Sequence, residues 1–258
     1  MCLIVFNWQP GTPQWLTLSG NRDEFYQRPT AALSRWDDYP QVLAGRDLEQ
    51  GGTWMGVTDD GRFAAVTNIR RLNAPQHRRS RGALVGDFLI GNETPLQAAQ
   101  ALAQRADEYG WFNALLGTPE ALWYVCNWPE PVAVEVTPGL HVLSNEHLDT
   151  PWPKSQLAMQ QLQQWQDDSG DERQLAGLLG NRQRFSDDTL PDTGMPLLLE
   201  QQLSSQFLNL RDRQYGTRSS SSLVGRLGED GKPFLRIHET CWDEQGEYRS
   251  ERVLQARS

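Results

Sequence analysis

The order in which strand-like and helix-like segments succeed one another constrains this chain most. Strands come first, then helices, strands, helices and strands again. A doubly wound parallel sheet requires single strands and helices to alternate regularly, and that alternation is missing here. The pattern predicts an α+β fold of two antiparallel sheets with helices on their outer faces. Residues 3–7 read as a buried strand, residues 9–13 as a turn and residues 15–19 as the returning strand, so the chain opens with a hairpin. A second hairpin follows Gly51-Gly52, with residues 53–57 and 63–67 joined at Asp59-Asp60-Gly61.

Residues 81–90 and the segment capped by Thr94, with Pro95 at its first position, read as helices. Strand-like runs at 112–116, 122–126, 132–136 and 140–143 suggest one meander. Residues 154–184 turn helical, residues 197–207 continue that pattern, and 214–225, 233–240 and 247–254 close the chain as strands. No internal repeat or interdomain linker interrupts the 258 residues, and one domain is expected.

Charge and cysteine content narrow the function classes. A net charge of -9 opposes a polyanion-binding surface, so nucleic acid is not an expected partner. The densest basic stretch, Arg70-Arg71 with His77-Arg78-Arg79 and Arg81, is either a solvated loop or a contact for an anionic ligand. Three cysteines, Cys2, Cys126 and Cys241, have neither CxxC pairing nor metal-ligand spacing. No transmembrane segment or secretion signal is recognisable, and a cytoplasmic location is the expectation. Ten tryptophans provide core aromatics and permit an apolar pocket.

Cys2 is the candidate for chemistry. Cysteine is small enough for removal of the initiator methionine to be expected, which would place a thiol and a free α-amine on one residue. Such an amine has a pKa of about 7.7–8.0 and a thiol about 8.5, so the amine can take the thiol proton as general base. The alternative is that Cys2 simply starts the first strand. In the opening hairpin, Asn21-Arg22-Asp23-Glu24 returns beside Cys2. There Asp23 could orient the amine and Arg22 favour the thiolate, or the four residues could form an exposed turn. Asn68 and Asn145 end strand-like runs, where an amide can donate to an oxyanion or merely make a turn. Arg218 interrupts a strand-like run with a charge, which needs a partner if buried and none at an edge.

The combination Met1-Cys2-Leu3-Ile4, Asn21-Arg22-Asp23-Glu24, Gly51-Gly52-Thr53-Trp54, Thr67-Asn68-Ile69-Arg70, Ser80-Arg81-Gly82 and Gly216-Thr217-Arg218-Ser219 closely resembles the NRDE family, also called the transport and Golgi organisation family. The resemblance implies a branch of the N-terminal nucleophile hydrolases with a four-layer αββα sandwich, its nearest catalytic analogues being the choloylglycine hydrolases and penicillin V acylases. It implies Cys2 as nucleophile, Arg22 and Asp23 as its supporting pair, Asn68 and Asn145 as the two Asn positions and Arg218 as the late Arg. One departure is that Arg22 and Asp23 are adjacent here, whereas the acylase group separates them.

The resemblance leaves two function classes open. One is a cysteine amidohydrolase of a non-peptide carbon-nitrogen amide, with a small-molecule amide as partner and no cofactor required for hydrolysis. The other is a non-catalytic protein that binds or carries haem or an acyl metabolite, since family members are associated with haem trafficking and acyl-CoA homeostasis. No CxxCH haem-attachment motif occurs, and His77, His141, His147 and His238 are equally compatible with structural roles.

Overall fold

The computed structural model describes residues 2–72, 74, 79–168 and 170–257. His77 and Arg78 of the basic stretch lie outside them. The strands are β1 (Cys2–Trp8), β2 (Gln14–Phe25), β3 (Thr30–Arg35), β4 (Val42–Asp47), β5 (Met55–Thr58), β6 (Phe63–Asn68), β7 (Phe112–Gly117), β8 (Leu122–Cys126), β9 (Val132–Glu135), β10 (Gly139–Leu143), β11 (Asn209–Leu210), β12 (Tyr215–Leu227), β13 (Pro233–Trp242) and β14 (Tyr248–Arg257). The helices are α1 (Arg81–Ile90), α2 (Pro95–Gln104), α3 (Pro153–Asp167), α4 (Glu172–Leu175) and α5 (Leu197–Gln202).

All strand pairings within the two sheets are antiparallel. One sheet runs β10-β1-β2-β12-β13-β14, with β11 beside β12, and the other runs β3 through β9 in chain order. Alternation along each strand builds the layers. Ile4, Phe6 and Trp8 point between the sheets with Leu16, Leu18, Phe63 and Leu115, whereas Leu3 and Val5 point outward against Ala158, Leu162 and Trp165 of α3. On the far side, Ala64, Val66 and Ala114 meet Leu84, Val85, Phe88 and Leu89 of α1 and Ala99 of α2. The expected α+β architecture of four layers is therefore present: helix, sheet, sheet, helix. Each fully buried Leu, Ile or Phe in these interfaces contributes about 1.5–3 kcal/mol of burial free energy.

Local chemistry accounts for the helix starts. Ser80 caps α1 by accepting from the Gly82 amide, and Thr94 with Gln97 forms a capping box ahead of Pro95 in α2. Gly61, at φ +90°, makes the tight turn between β5 and β6.

Three expectations change, and two strands are added. Residues 21–24 are no exposed turn but the end of β2, because β12 pairs along its other edge and buries Asn21, Arg22 and Asp23. The expected meander loses its last strand, since β10 leaves β9 and pairs with β1 in the other sheet. The second helical region is shorter than its periodicity suggests: α3 stops at Asp167, and α4 and α5 are pieces of four and six residues within irregular chain. Strands β3 and β4, where the sequence suggests no element, lack a strong alternating pattern and are held by pairing in series, β3 on β4 and β4 on β5. No helix among the described residues is long and apolar enough to cross a membrane.

Candidate active site around Cys2

Cys2 sits directly opposite Arg22 in the β1·β2 ladder, and Arg22 in turn pairs with Ser219 of β12. Being two residues before Ile4, Cys2 shares its inward face and borders a cleft of about 500 Å³. Arg22 and Glu24 follow Leu16 and Leu18 on that same face of β2 and line the cleft as well. Asn68, at the end of β6, completes the wall from the second sheet. Four of the six residues singled out from the sequence, Cys2, Arg22, Asp23 and Asn68, thus border one cavity.

The pleat separates the side chains of this short stretch. Cys2 and Arg22 look into the cleft, whereas Asn21 and Asp23 are turned toward the α3 side of the sheet. There the Asn21 amide donates to the carbonyls of Leu179 and Gln206 at 2.9 and 3.0 Å. Thr217 Oγ1 donates to Asp23 Oδ1 at 2.7 Å, and Tyr215 OH donates to the Asp23 carbonyl at 3.0 Å. Asp23 is 2% exposed, and burial pushes its carboxyl above the usual range. Burial also pushes the Cys2 thiol up, against the opposing charge of Arg22 and a hydrogen bond from the Asp23 amide.

The other two predicted residues are placed differently. Asn145 is completely buried and donates through Nδ2 to the backbone carbonyl of Asn68 at 2.9 Å, so it stands behind Asn68 and not beside it. Arg218 is the extra residue of a β-bulge, since Thr217 pairs with Asp23 while Ser219 already pairs with Arg22. A bulge re-aims its side chain. The Arg218 guanidinium is accordingly spent on the carbonyls of Phe25, Tyr26 and Arg28 at 2.9, 2.9 and 3.2 Å, and Arg218 does not border the Cys2 cleft.

Behind the sheet the structure assembles charges that sequence reasoning missed. Lys154, in the first turn of α3, is 3% exposed, and its ammonium reaches the Leu203 carbonyl at 3.4 Å. Burial, with Arg70 nearby, lowers it to about 7, while the charges of Asp23 and Cys2 oppose that shift. Arg70 donates to Glu200 at 2.8 Å in a pair whose side chains are 2% and 3% exposed. A signal existed: the sequence has 22 Arg and only two Lys, Lys154 and Lys232. In a chain that uses Arg almost everywhere, a Lys right after Trp152-Pro153 at a helix start stands out as a compact, titratable cation.

The cleft is not the apolar, tryptophan-lined pocket that composition permits. Trp54 is its one tryptophan among the described residues, and Arg, Asp and Glu side chains dominate the wall. Trp8 and Trp15 are instead in the inter-sheet core, edge to face at 5.9 Å. Of the histidines, His141 has both ring nitrogens engaged, with Asp149 at 2.7 Å and the Thr137 carbonyl at 2.8 Å. His147 and His238 pair with Glu146 and Glu251, and neither borders the cleft. No group of three or more potential metal ligands occurs among the described residues.

The motifs around this cleft belong to one recognisable set: residues 1–230 match the family described as Transport and Golgi organisation 2. The chain belongs to that family. It is 30% identical to the Transport and Golgi organization 2 homolog of Mus musculus over 87% of this chain and 88% of the relative. With the Bos taurus homolog the identity is also 30%, covering 94% and 96%. With the Homo sapiens homolog it is 35% over 60% of each chain. Among solved structures, the Caenorhabditis elegans ortholog of N-acylethanolamine-hydrolyzing acid amidase aligns at a TM-score of 0.48 and 11% identity, covering 68% of this chain and 85% of that one. A conjugated bile acid hydrolase from Clostridium perfringens aligns at 0.49 and 9%, covering 98% and 92%. In this Transport and Golgi organisation 2 member, the NRDE motif is the buried end of β2, and its alternate residues serve opposite faces of the sheet.

Proposed function

We propose that this protein is an N-terminal cysteine amidohydrolase acting on a non-peptide carbon-nitrogen amide. The observation that carries the reading is the convergence of Cys2, Arg22 and Asn68 on one cleft, with the thiol facing in and Asp23 following Arg22 on the opposite face of the strand. With residue 1 attached, the Cys2 nitrogen is a peptide amide and has no basic lone pair. Removal of Met1 would free an α-amine at the strand end, with the thiol on the cleft side and the Asp23 carboxylate approaching from the α3 side.

In the reaction, the amine takes the thiol proton and the sulfur bonds to the substrate carbonyl carbon. The carbonyl π electrons move to oxygen, where the Asn68 amide on the cleft wall is the candidate donor, its backbone carbonyl held by Asn145. Collapse breaks the carbon-nitrogen bond, and the α-ammonium returns its proton to the leaving amine. Water then cleaves the thioester, releasing a carboxylic acid and regenerating the thiol. Asp23 orients the ammonium that forms at each step, and Arg22 offsets the burial that opposes the thiolate. Arg218 acts by fixing the β2 end through the three carbonyls it clamps.

The test combines intact mass, limited alkylation and hydrolysis. The expected result is loss of Met1, labelling of Cys2 ahead of Cys126 and Cys241, and no hydrolysis of a linear amide panel by Cys2→Ala or Cys2→Ser. Burial pushes all three thiols up, Cys241 to about 11, and selectivity is expected because only at Cys2 would a freed α-amine stand beside the sulfur to take its proton. Full turnover by Cys2→Ala would overturn the nucleophile. An inert Cys2, together with a saturable spectral change on titration with haem, would instead support a carrier without turnover.

A further inference from the structure

Two motifs, Gly51-Gly52-Thr53-Trp54 and Ser80-Arg81-Gly82, have no part in the hydrolytic steps, yet they meet at the cleft in front of Cys2. Helix α1 begins there, with Ser80, Arg81 and Gly82 on the cleft wall. Its first turn contains no acidic residue, so the positive end of this ten-residue helix is not neutralised locally. The Thr53 amide donates to the Gly82 carbonyl at 3.2 Å, and a Cβ on Gly52 would lie 2.4 Å from the Gly82 carbonyl carbon. The glycines therefore press the 51–54 loop onto the helix start, a closeness that a side chain would forbid.

Two guanidiniums accompany this helix end. Arg22 is 8% exposed and its Nη1 is buried without a hydrogen-bond partner, while Nη2 lies 3.7 Å from Glu24. Arg81 donates to the Trp111 carbonyl at 3.2 Å, makes no ion pair among the described residues, and feels the charges of Glu24, Cys2 and Arg28. The other cleft arginines are committed elsewhere. Arg28 pairs with Asp47 and Glu49, Arg46 grips Asp38 with both terminal nitrogens, and Arg79 bridges Asp87 and Glu108. A nine-tenths buried guanidinium with an orphaned nitrogen, lining the same cleft as a helix start with no acidic residue in its first turn, is a site awaiting an acceptor. Asp23 is turned to the other face of β2. Of the other carboxylates on the wall, Asp47 pairs with Arg28 and Glu239 accepts from the Leu33 amide, so Glu24 is the one that faces Arg22 and Arg81.

We propose that the α1 N-terminus, Arg81 and Arg22 form an oxyanion-group subsite beside Cys2, which receives a carboxylate or phosphate carried by the substrate close to the bond that is cleaved. The position of that bond rests on the amidohydrolase reading; the anion subsite does not. The polar wall agrees with a charged small molecule in preference to a purely apolar one.

Binding is measured on the full chain by calorimetric titration with inorganic phosphate and, separately, with succinate, the better ligand telling phosphate from carboxylate. Arg81→Gln is expected to weaken the better ligand about tenfold or more, one charge-assisted pair being lost. Arg81→Lys, keeping charge without the fork, falls between, and Arg46→Gln shifts affinity by less than about twofold because its partner is Asp38. Thermal melts of each variant confirm folding.

Alkylation supplies a second readout without turnover. At Cys2 the rate ratio of iodoacetate to iodoacetamide is expected to exceed that at Cys241 by about tenfold and to fall to the Cys241 value in Arg81→Gln. The proposal is overturned if neither anion saturates the wild type, or if Arg46→Gln weakens binding as much as Arg81→Gln. A Cys2 inert to both reagents, with Arg81-dependent phosphate binding intact, would sink the amidohydrolase reading and leave the subsite standing.

Discussion

The two faces of the β2 end carry similar charges in opposite surroundings. In front, Arg22 and Glu24 border an open cleft whose other ion pairs are partly solvated, such as Arg46–Asp38 with side chains 29% and 47% exposed. Behind, Asp23, Lys154, Arg70 and Glu200 are enclosed between the sheet, α3 and α5, each 4% exposed or less. Water screens the front ion pairs such as Arg46–Asp38, which matter little to folding, while Arg22 on the same face is buried with a nitrogen left open to a ligand. The rear charges have lost their hydration and must satisfy one another, so they hold the fold and set the protonation of the groups next to Cys2. One strand thus supplies a recognition surface and a dry electrostatic support from alternate residues.

The largest effect that would test this contrast comes from breaking the rear pair. Glu200→Gln strands Arg70 without its carboxylate and is expected to cost about 3–5 kcal/mol in urea unfolding. A loss below about 1 kcal/mol, the range of a surface pair, would erase the distinction between the faces. Lys154→Met sharpens it through pH. The unfolded lysine holds its proton up to 10.5 and the folded one only to about 7, so between these values the unfolded chain binds more protons. Stability from this group is present above 10.5 and is lost as pH falls through the folded pKa, with a slope of at most about 1.4 kcal/mol per pH unit. The variant is expected to lack that slope in denaturant titrations run across the window; an unchanged slope would remove Lys154 from the account.

At the front, Gly52→Ala drives a Cβ into the Gly82 backbone and is expected to cost about 1–3 kcal/mol while weakening phosphate binding through displacement of α1. Arg46→Gln sets the lower end, with an expected stability loss of about 0–1 kcal/mol. If it destabilised as much as Glu200→Gln, the cleft wall would be structural in the same sense as the rear cluster.

The opening hairpin, the 55–68 hairpin, α1, α2 and the closing strands were legible because each is specified by local alternation, a turn or a cap within a few residues. β3, β4 and the departure of β10 were not, because their partners lie in other segments and their own patterns are weak. The same division runs through the site. Cys2 and Asp23 are brought together by one hairpin, so their proximity follows from a turn at residues 9–13. The role of Arg218 was hidden because a one-residue bulge, invisible in the sequence, turns it from the cleft onto three carbonyls.

The sequence by itself determined the layered α+β plan, the family and the nucleophile candidate at the head of β1, since strand periodicity, turn chemistry and motif order are local properties of the chain. Only the tertiary structure decided which face each charge serves. It brought Lys154 and Glu200 to the rear of the Asp23 strand across more than a hundred residues of sequence, and set the α1 start against the 51–54 loop. Whether a charge ends in water or in a dry enclosure depends on packing between distant elements, and that no local pattern encodes.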